Sequence, residues 1–316
     1  MNEENTFAIS YGKLRVPVYR VYATPLSGIT EIPESEFARR ENILFACEVD
    51  VEVFGENFLP AYTSGDNSNV VATDSMKNFI LHQALYFEGS TLEEFLNVLG
   101  RRFLETYTQM ERLRLDAREL PFDVVPVPLA DTAAFGSSNV LFRRGHGDFS
   151  TVTLEFERDA AHPEQPVLTG HRCGRVGMEL WKVTGSAFSH FIRDEYTTLQ
   201  ERTDRPLFIF LDVYWKYNDD ESLLAQDHTR YVVPEQVRDL VQVVFHEFVS
   251  ESIQHLVHEI GQRLLERFPQ LAEISFEAQN RTRDLIVASK TDEKIKVYSD
   301  PFSAYGIIKM TIKRNS

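Results

Sequence analysis

Cysteine is scarce in this 316-residue chain: only Cys47 and Cys173 occur. They make no CxxC pair, which excludes a disulfide framework and the thiolate zinc motifs. One bridge between them stays chemically open, but a reducing compartment is the expectation. No apolar run reaches membrane length, and the start shows no signal-peptide pattern. The closing KRNS is not the usual peroxisomal address, so a cytoplasmic protein is expected, with no membrane partner. Positive charge is also in short supply, with 33 Lys and Arg against 48 Asp and Glu and a formal net charge of -15. Such a chain is a poor binder of phosphate backbones, and no nucleic-acid partner is expected. Arg101, Arg102, Arg112 and Arg114 are dispersed among Glu and Leu, as on a solvated helix face.

Several catalytic signatures are missing as well. His255 and His258 share a spacing that fits one helix face, with His246 nine residues earlier, but no cysteine or carboxylate completes a strong zinc motif. "HEFVSESIQH" is not HExxH. "RRGHGDF", residues 143 to 149, lacks phosphate-loop spacing and reads as a hairpin or mobile loop. Ser189 and His190 are adjacent, yet adjacency defines no nucleophile, base and orienting group. Ser186 has no GxSxG elbow around it.

What the chain does have is apolar and aromatic material. Hydrophobic residues make up 43%, with 23 Phe and 12 Tyr, enough to fill the core of one large domain or two ordinary ones. "FAISYGKLRVPVYRVYAT" and "NILFACEVDVEVFG" read as strands, the second with Ala46, Glu48, Asp50 and Glu52 on a wet face. The connection between them, residues 27 to 41, has room for a short helix. A helix is predicted over Ser75 to Phe87, followed by a second that opens on Ser90-Thr91-Leu92-Glu93 with capping-box spacing. "FDVVPVPL" and "FSTVTLEFERD" are extended, separated by a Gly-containing loop. After the polar stretch "RDAAHPEQPVLTGHR", the order recurs: strands "RVGMELWKVTGSAF" and "PLFIFLDVYWKYN", a helical region from Pro234 to Phe268, then "EISFEAQNRTRDLIVAS" and "AYGIIKMTIKR". Each half thus runs strand, strand, helical region, strand, strand. That order implies an α+β fold of antiparallel sheets with helices on one face. Open sheet edges in such domains are hidden by joining further copies, so an oligomer is expected.

Specific sequence stretches narrow this further. "YGK" occupies residues 11 to 13, "DNSNVVATDSMKN" residues 66 to 78, and "FSHFIRDEYTTLQERTDR" residues 188 to 205. Ile253-Gln254, Asn280 and "SDPFSAYGIIK" follow in the same order. Together they resemble the urate oxidase (uricase) family, cofactor-independent enzymes of purine catabolism. The resemblance implies two tandem tunnelling-fold (T-fold) domains, here 1–165 and 166–316, whose antiparallel sheets are covered by helix pairs. It also implies a tunnel-shaped homotetramer with active sites at subunit interfaces. Urate, dioxygen and water would be the substrates, with no cofactor and no metal.

Residue by residue, the resemblance makes Lys13 and Thr73 a proton-transfer pair, and it puts Asp74 beside the substrate. A lysine serves as a base only where its surroundings favour the neutral amine. The Thr73 hydroxyl can both donate and accept, so it can relay a proton; it can also cap a helix, as can Asp74, which is expected to fix the helix start. Arg205 corresponds to the arginine that grips urate, its planar fork suited to adjacent acceptors. Gln254 offers an amide donor and acceptor to the purine edge, beside Ile253, whose backbone would make contact. Phe188 corresponds to the stacking aromatic and Leu199 to a pocket wall. Asn280 corresponds to the asparagine near the oxygen or water position. Here the chain departs from the eukaryotic-like Asn-Lys-His, reading Asn280-Arg281-Thr282. Thr282 then stands as a substitute in the proton path. Two other readings are a pterin or purine enzyme of the same fold, which would need a metal-ligand set, and a noncatalytic purine binder.

Overall fold

The computed structural model describes residues 6–130, 134–159, 162, 165–281, 283–292, 294–300 and 304–314. In chain order the elements are β1 (Ser10–Val21), β2 (Leu44–Phe54), α1 (Leu59–Thr63), α2 (Thr73–Tyr86), α3 (Leu92–Thr106), β3 (Arg112–Glu119), β4 (Phe122–Pro128), β5 (Phe135–Arg144), β6 (Phe149–Arg158) and β7 (Pro166–Lys182). They continue with β8 (Leu207–Tyr217), α4 (Asp220–Leu224), α5 (Pro234–Glu247), α6 (Ile253–Arg267), β9 (Leu271–Asn280), β10 (Asp284–Ala288), β11 (Lys296–Ser299) and β12 (Gly306–Lys313). The chain folds as two compact units, one holding residues 1–30, 38–173 and 220–231, the other 31–37, 174–219 and 232–316.

In the first unit β1 pairs antiparallel with β2, β2 with β3, and β3 with β6. The strands alternate. Val49, Val51 and Val53 of β2, Leu113 and Leu115 of β3, and Leu154 and Phe156 of β6 are all sealed from solvent. α3 closes this face with Phe95, Leu96, Leu99 and Phe103, and α2 adds Met76 and Ile80. Each such side chain contributes about 1.5–3 kcal/mol by leaving water, so this face supplies the driving force for the unit. The wet face of β2 is as expected at Glu48, Asp50 and Glu52, where Arg118 reaches Glu48 at 2.7 Å. Ala46 differs: it is buried.

In the second unit β8 pairs antiparallel with β9, and β9 with β12. Ile209, Leu211 and Val213 of β8 and Ile274 and Phe276 of β9 are buried, as are Val257, Ile260 and Leu264 of α6, which packs on β9 and β12 beside α5. The observed architecture is therefore α+β with antiparallel strands and helices.

Six local readings need correction. The helical region from Pro234 is two helices, broken at residues 248–252, because Ser252 starts α6 afresh by accepting the His255 N–H at 3.0 Å. The Gly-containing loop after β4 contains a further strand, β5, paired with it. That hairpin is largely exposed, with Phe135 and Val140 open to solvent, so it lacks the alternation by which strands are read. β7 begins at Pro166, inside the polar stretch taken as a connection. Residues 27 to 41 hold no helix, and Arg112 and Arg114 lie on β3, not on a helix face. The segment after β9 breaks at Arg281 and resumes as β10, hairpinned to β11.

Candidate active site

The run "DNSNVVAT" is a turn folded by its own side chains. Asp66 accepts the Ser68 N–H at 3.0 Å, and Val70 donates back to the Asn67 carbonyl at 3.0 Å. The next amide, Val71 N–H, donates to the Tyr11 hydroxyl at 3.1 Å, and the Tyr11 ring meets Phe58 edge-on at 5.1 Å. Tyr11 thus hangs the approach to Thr73 on β1. Burial raises the Tyr11 phenol pKa above its ordinary value, which keeps it protonated there. Gly12 follows for a steric reason: a Cβ at this position would lie 1.9 Å from the Val51 carbonyl oxygen. Lys13 pairs with Val51, and immediately after it the register slips before Val16, with Arg15 at φ 58°. A bulge of this kind re-aims the side chains beside it. The motif's three residues therefore anchor, approach and present.

Thr73 is the first residue of α2. The N-cap is Ala72, with no side-chain cap bond, so neither Thr73 nor Asp74 caps this helix. That corrects the expectation for Asp74. Its carboxylate instead meets Lys77 Nζ at 2.5 Å and accepts the Asn78 side-chain amide at 3.1 Å. The Lys77 hydrogen bond, chiefly, holds the Asp74 carboxyl below its ordinary value, and the Lys13 charge adds to the same shift. The field of Lys13 thus reaches the first turn of α2, where an anion also complements the helix dipole. Among the described residues, neither Lys13 Nζ nor the Thr73 hydroxyl has an ion-pair or hydrogen-bond partner.

The second unit positions the other candidates through a loop closed by backbone hydrogen bonds. Phe188 and Arg202 exchange N–H to carbonyl bonds at 2.8 and 3.0 Å, and Arg205 N–H donates to the Ser186 carbonyl at 2.8 Å. Ala187 N–H donates to Ser250 at 2.8 Å, which draws the start of α6 to the same place. The Arg205 guanidinium lies over the Phe188 ring at 5.3 Å, and Phe188 stacks on Phe191 at 5.0 Å and 14°. Arg205 Nε is buried without a partner among the described residues, and burial lowers the guanidinium pKa from its ordinary value. Ile253 is buried, whereas Gln254 beside it is exposed, as residues on opposite sides of a helix start.

Leu199, Arg205 and Asn280 line one cleft of about 210 Å³, together with Arg281. Phe188, Ile253 and Gln254 are not among its lining residues. Asn280 ends β9, opposite Gly306 of β12. Thr282 lies outside the described residues. Arg281, noted in the sequence only as a departure, sits over the Tyr305 and Phe210 rings at 3.9 and 4.8 Å. Its neighbour Arg283 sits over Phe208 and Trp181 at 4.4 and 5.1 Å. No spacing in the sequence pointed to these stacks, since their partners come from two other strands and a loop.

The remaining motifs show ordinary contacts. Ser189 Oγ and His190 Nδ1 are 3.1 Å apart, but the pair is on a solvated loop, and the His190 backbone N–H donates to Glu201. The His255 ring meets Phe248 edge-on at 4.7 Å. Among the described residues, no three His, Cys, Asp or Glu side chains gather as a metal ion requires, and no helix is long and apolar enough to cross a membrane.

Comparison with known proteins places this geometry. A family model described as "Uricase" matches residues 171–309. The uricase of Haloferax volcanii is 47% identical over 306 residues, covering 97% of this chain and 98% of that protein. The uric acid degradation bifunctional protein PucL of Bacillus subtilis is 43% identical, covering 97% of this chain and 61% of its own length. The crystal structure of Bacillus sp. TB-90 urate oxidase superposes with a TM-score of 0.94 at 41% identity, covering 97% of this chain and 100% of that one.

Proposed function

The chain belongs to the urate oxidase (uricase) family, cofactor-independent enzymes of the tunnelling-fold superfamily, and we propose that it oxidises urate with the residues described above. Urate, dioxygen and water become 5-hydroxyisourate and hydrogen peroxide. The observation that carries the reading is the cleft shared by Leu199, Arg205 and Asn280, with Arg205 braced on Phe188. An arginine held in one plane, with a buried Nε still to be satisfied, is ready to donate two bonds to a flat anion. Gln254, Ile253 and Asp74 complete the contacts to substrate, and Phe188 stacks against it.

Lys13 acts through Thr73 as the base. Removing a proton makes urate a stronger reductant, so it passes one electron to oxygen. The two radicals combine, peroxide leaves, and water adds at C5 under the direction of Asn280. Thr282 takes the place of the family histidine in the proton path. Order matters here because three reactants use one site in turn.

The proposal extends to assembly. The two T-fold domains are residues 1–165 and 166–316. β1 and β12 each end a row of strands, and such edges call for a partner. A cytoplasmic homotetramer around a tunnel, with sites at subunit interfaces, would cover them.

The test is oxygen uptake with urate in metal-free buffer, followed by peroxide release and loss of urate absorbance. Wild type should consume oxygen and release peroxide in equal amounts. Lys13→Met should lose roughly 10²–10⁴-fold in kcat. Tight urate binding without uptake would make the protein a noncatalytic purine binder instead.

A further inference from the structure

The chain is acidic overall, at a net charge of -15. Its cleft at Arg205 is the opposite. Arg202, Arg205, Arg281, Arg283 and Lys296 line it, against only Asp204 and Asp284. Asp300 also pairs with Arg283, so the local balance is five cations to three carboxylates. Asp204 is itself occupied: it accepts the Gly185 N–H at 2.7 Å and the Thr184 hydroxyl at 2.8 Å. The Gly185 bond is the main reason its carboxyl sits below its ordinary value.

The way these arginines are held is the second observation. Arg205 rests on Phe188, Arg281 on Tyr305 and Phe210, and Arg283 on Phe208 and Trp181. The Nε atoms of all three are buried without a hydrogen-bond partner among the described residues. A carboxylate would fix a guanidinium by cancelling its charge. An aromatic face fixes it and leaves most of the field in place. Arg205 and Arg281 are held this way with no acidic partner among the described residues, while Arg283 shares its charge with Asp300, and the cleft keeps a net positive charge on a negative surface.

We propose that Arg202, Arg281, Arg283 and Lys296 form an electrostatic capture surface that concentrates the urate anion at Arg205. This rests on the urate oxidase reading above and adds a role to residues that reading leaves unused. Urate is attracted to the cleft and repelled by the rest of the protein. The field raises the local substrate concentration whether capture is rate-limiting or at equilibrium, so it acts on kcat/KM. Arg202 and Lys296, at the exposed rim, supply range, while Arg281 supplies a fixed charge within and Arg283 one partly offset by Asp300.

The experiment measures kcat/KM for urate by oxygen uptake, with ionic strength raised from about 20 to 500 mM to collapse the screening length. Sodium chloride and sodium acetate serve as separate arms. Wild type, Lys296→Gln, Arg283→Gln and Arg283→Lys are compared. Wild-type kcat/KM should fall roughly tenfold across the range, along one curve for both salts. Each glutamine variant should lose roughly threefold at low salt and meet wild type at high salt. Arg283→Lys should recover most of the loss. The exposed Lys296 keeps the test informative if Arg283→Gln misfolds. A flat wild-type profile overturns the proposal, as does a variant offset that persists at every ionic strength, which marks a contact role. Separate curves for chloride and acetate, with variants unaffected, would mean anion competition and also overturn it. Absence of oxygen uptake at any ionic strength would sink the urate oxidase reading itself; the salt slope of urate binding by calorimetry then decides the capture surface separately.

Discussion

α3 begins on Thr91, whose hydroxyl accepts the Glu94 N–H at 3.2 Å while the Glu94 carboxylate returns to the Thr91 N–H at 3.0 Å. α2, the preceding long helix, begins on Ala72, which has no side chain to offer. Both helices had a hydroxyl residue near the start in sequence, and capping alone does not separate them. At α3 the hydroxyl is spent on the backbone and sealed away, with Thr91 and Glu93 both buried. At α2 the Thr73 hydroxyl falls one residue too late to cap, and the helix leans on Tyr11 and on the Asp74–Lys77 pair instead. The contrast teaches where a fold gives up stability: an uncapped start costs about 1 kcal/mol and leaves a hydroxyl for other work.

The sharpest way to break this contrast is Thr73→Ala. If the hydroxyl is spared for chemistry, kcat should fall roughly 10²–10⁴-fold with the melting temperature nearly unchanged. Loss of stability with activity retained would make α2 an ordinary helix start. A second test uses the buried residue beside the α3 cap. Burial pushes the Glu93 carboxyl up to about 7 from its ordinary 4.5, against the hydrogen bond from Tyr231 at 3.0 Å. The folded state then holds a proton that the unfolded chain releases. Stability is full below pH 4.5 and is lost as pH rises through about 7, by about 3 kcal/mol in total. Glu93→Gln removes the titration, so its melting temperature should gain on wild type between pH 5 and 8. His228, raised by its hydrogen bond to Glu94, loses its own contribution in the same direction in both proteins. A gap independent of pH would show that Glu93 stays neutral throughout.

The smallest effects come from exchanging the two starts. Thr91→Ala should cost about 1 kcal/mol in denaturant melts and leave kcat within about twofold. Ala72→Ser should add about 0.5 kcal/mol by supplying the missing cap. A serine that adds nothing would mean the Tyr11 bond already holds the α2 entry in a shape no cap can improve.

Sequence patterning gave the buried strands reliably because one face of each is apolar: β2, β6 and β8 alternate as expected. It missed β5 because an exposed hairpin of Gly, Ser and Asn carries no such alternation. A capping box at the start of α3 was legible because both halves lie within four residues, but the spacing picked Ser90 and Glu93 where Thr91 and Glu94 make it. The Asp74 cap was misread because Lys77, one turn along, competes for the same carboxylate. At the site, Lys13, Thr73 and Arg205 were named through the family motifs alone, since pattern would have left each as a surface or capping residue. The cation–aromatic stacks of Arg281 and Arg283 were invisible, because rings 70 to 100 residues upstream supply most of them.

The loop from Ser186 to Arg205 is fastened at its base by main-chain atoms, through Ser186–Arg205, Phe188–Arg202 and Ala187–Ser250. Backbone fastenings do not depend on which side chains the intervening residues carry. The tip, with Ile192 and Tyr196 nearly fully exposed, meets Phe188 through Phe191, which stacks on that ring and carries Arg193 over its own. Length added there costs only a slowly growing closure entropy. A change of length between residues 192 and 196 should therefore leave the Phe188–Arg202 and Arg205–Ser186 fastenings intact, so the base of the loop is specified separately from its tip.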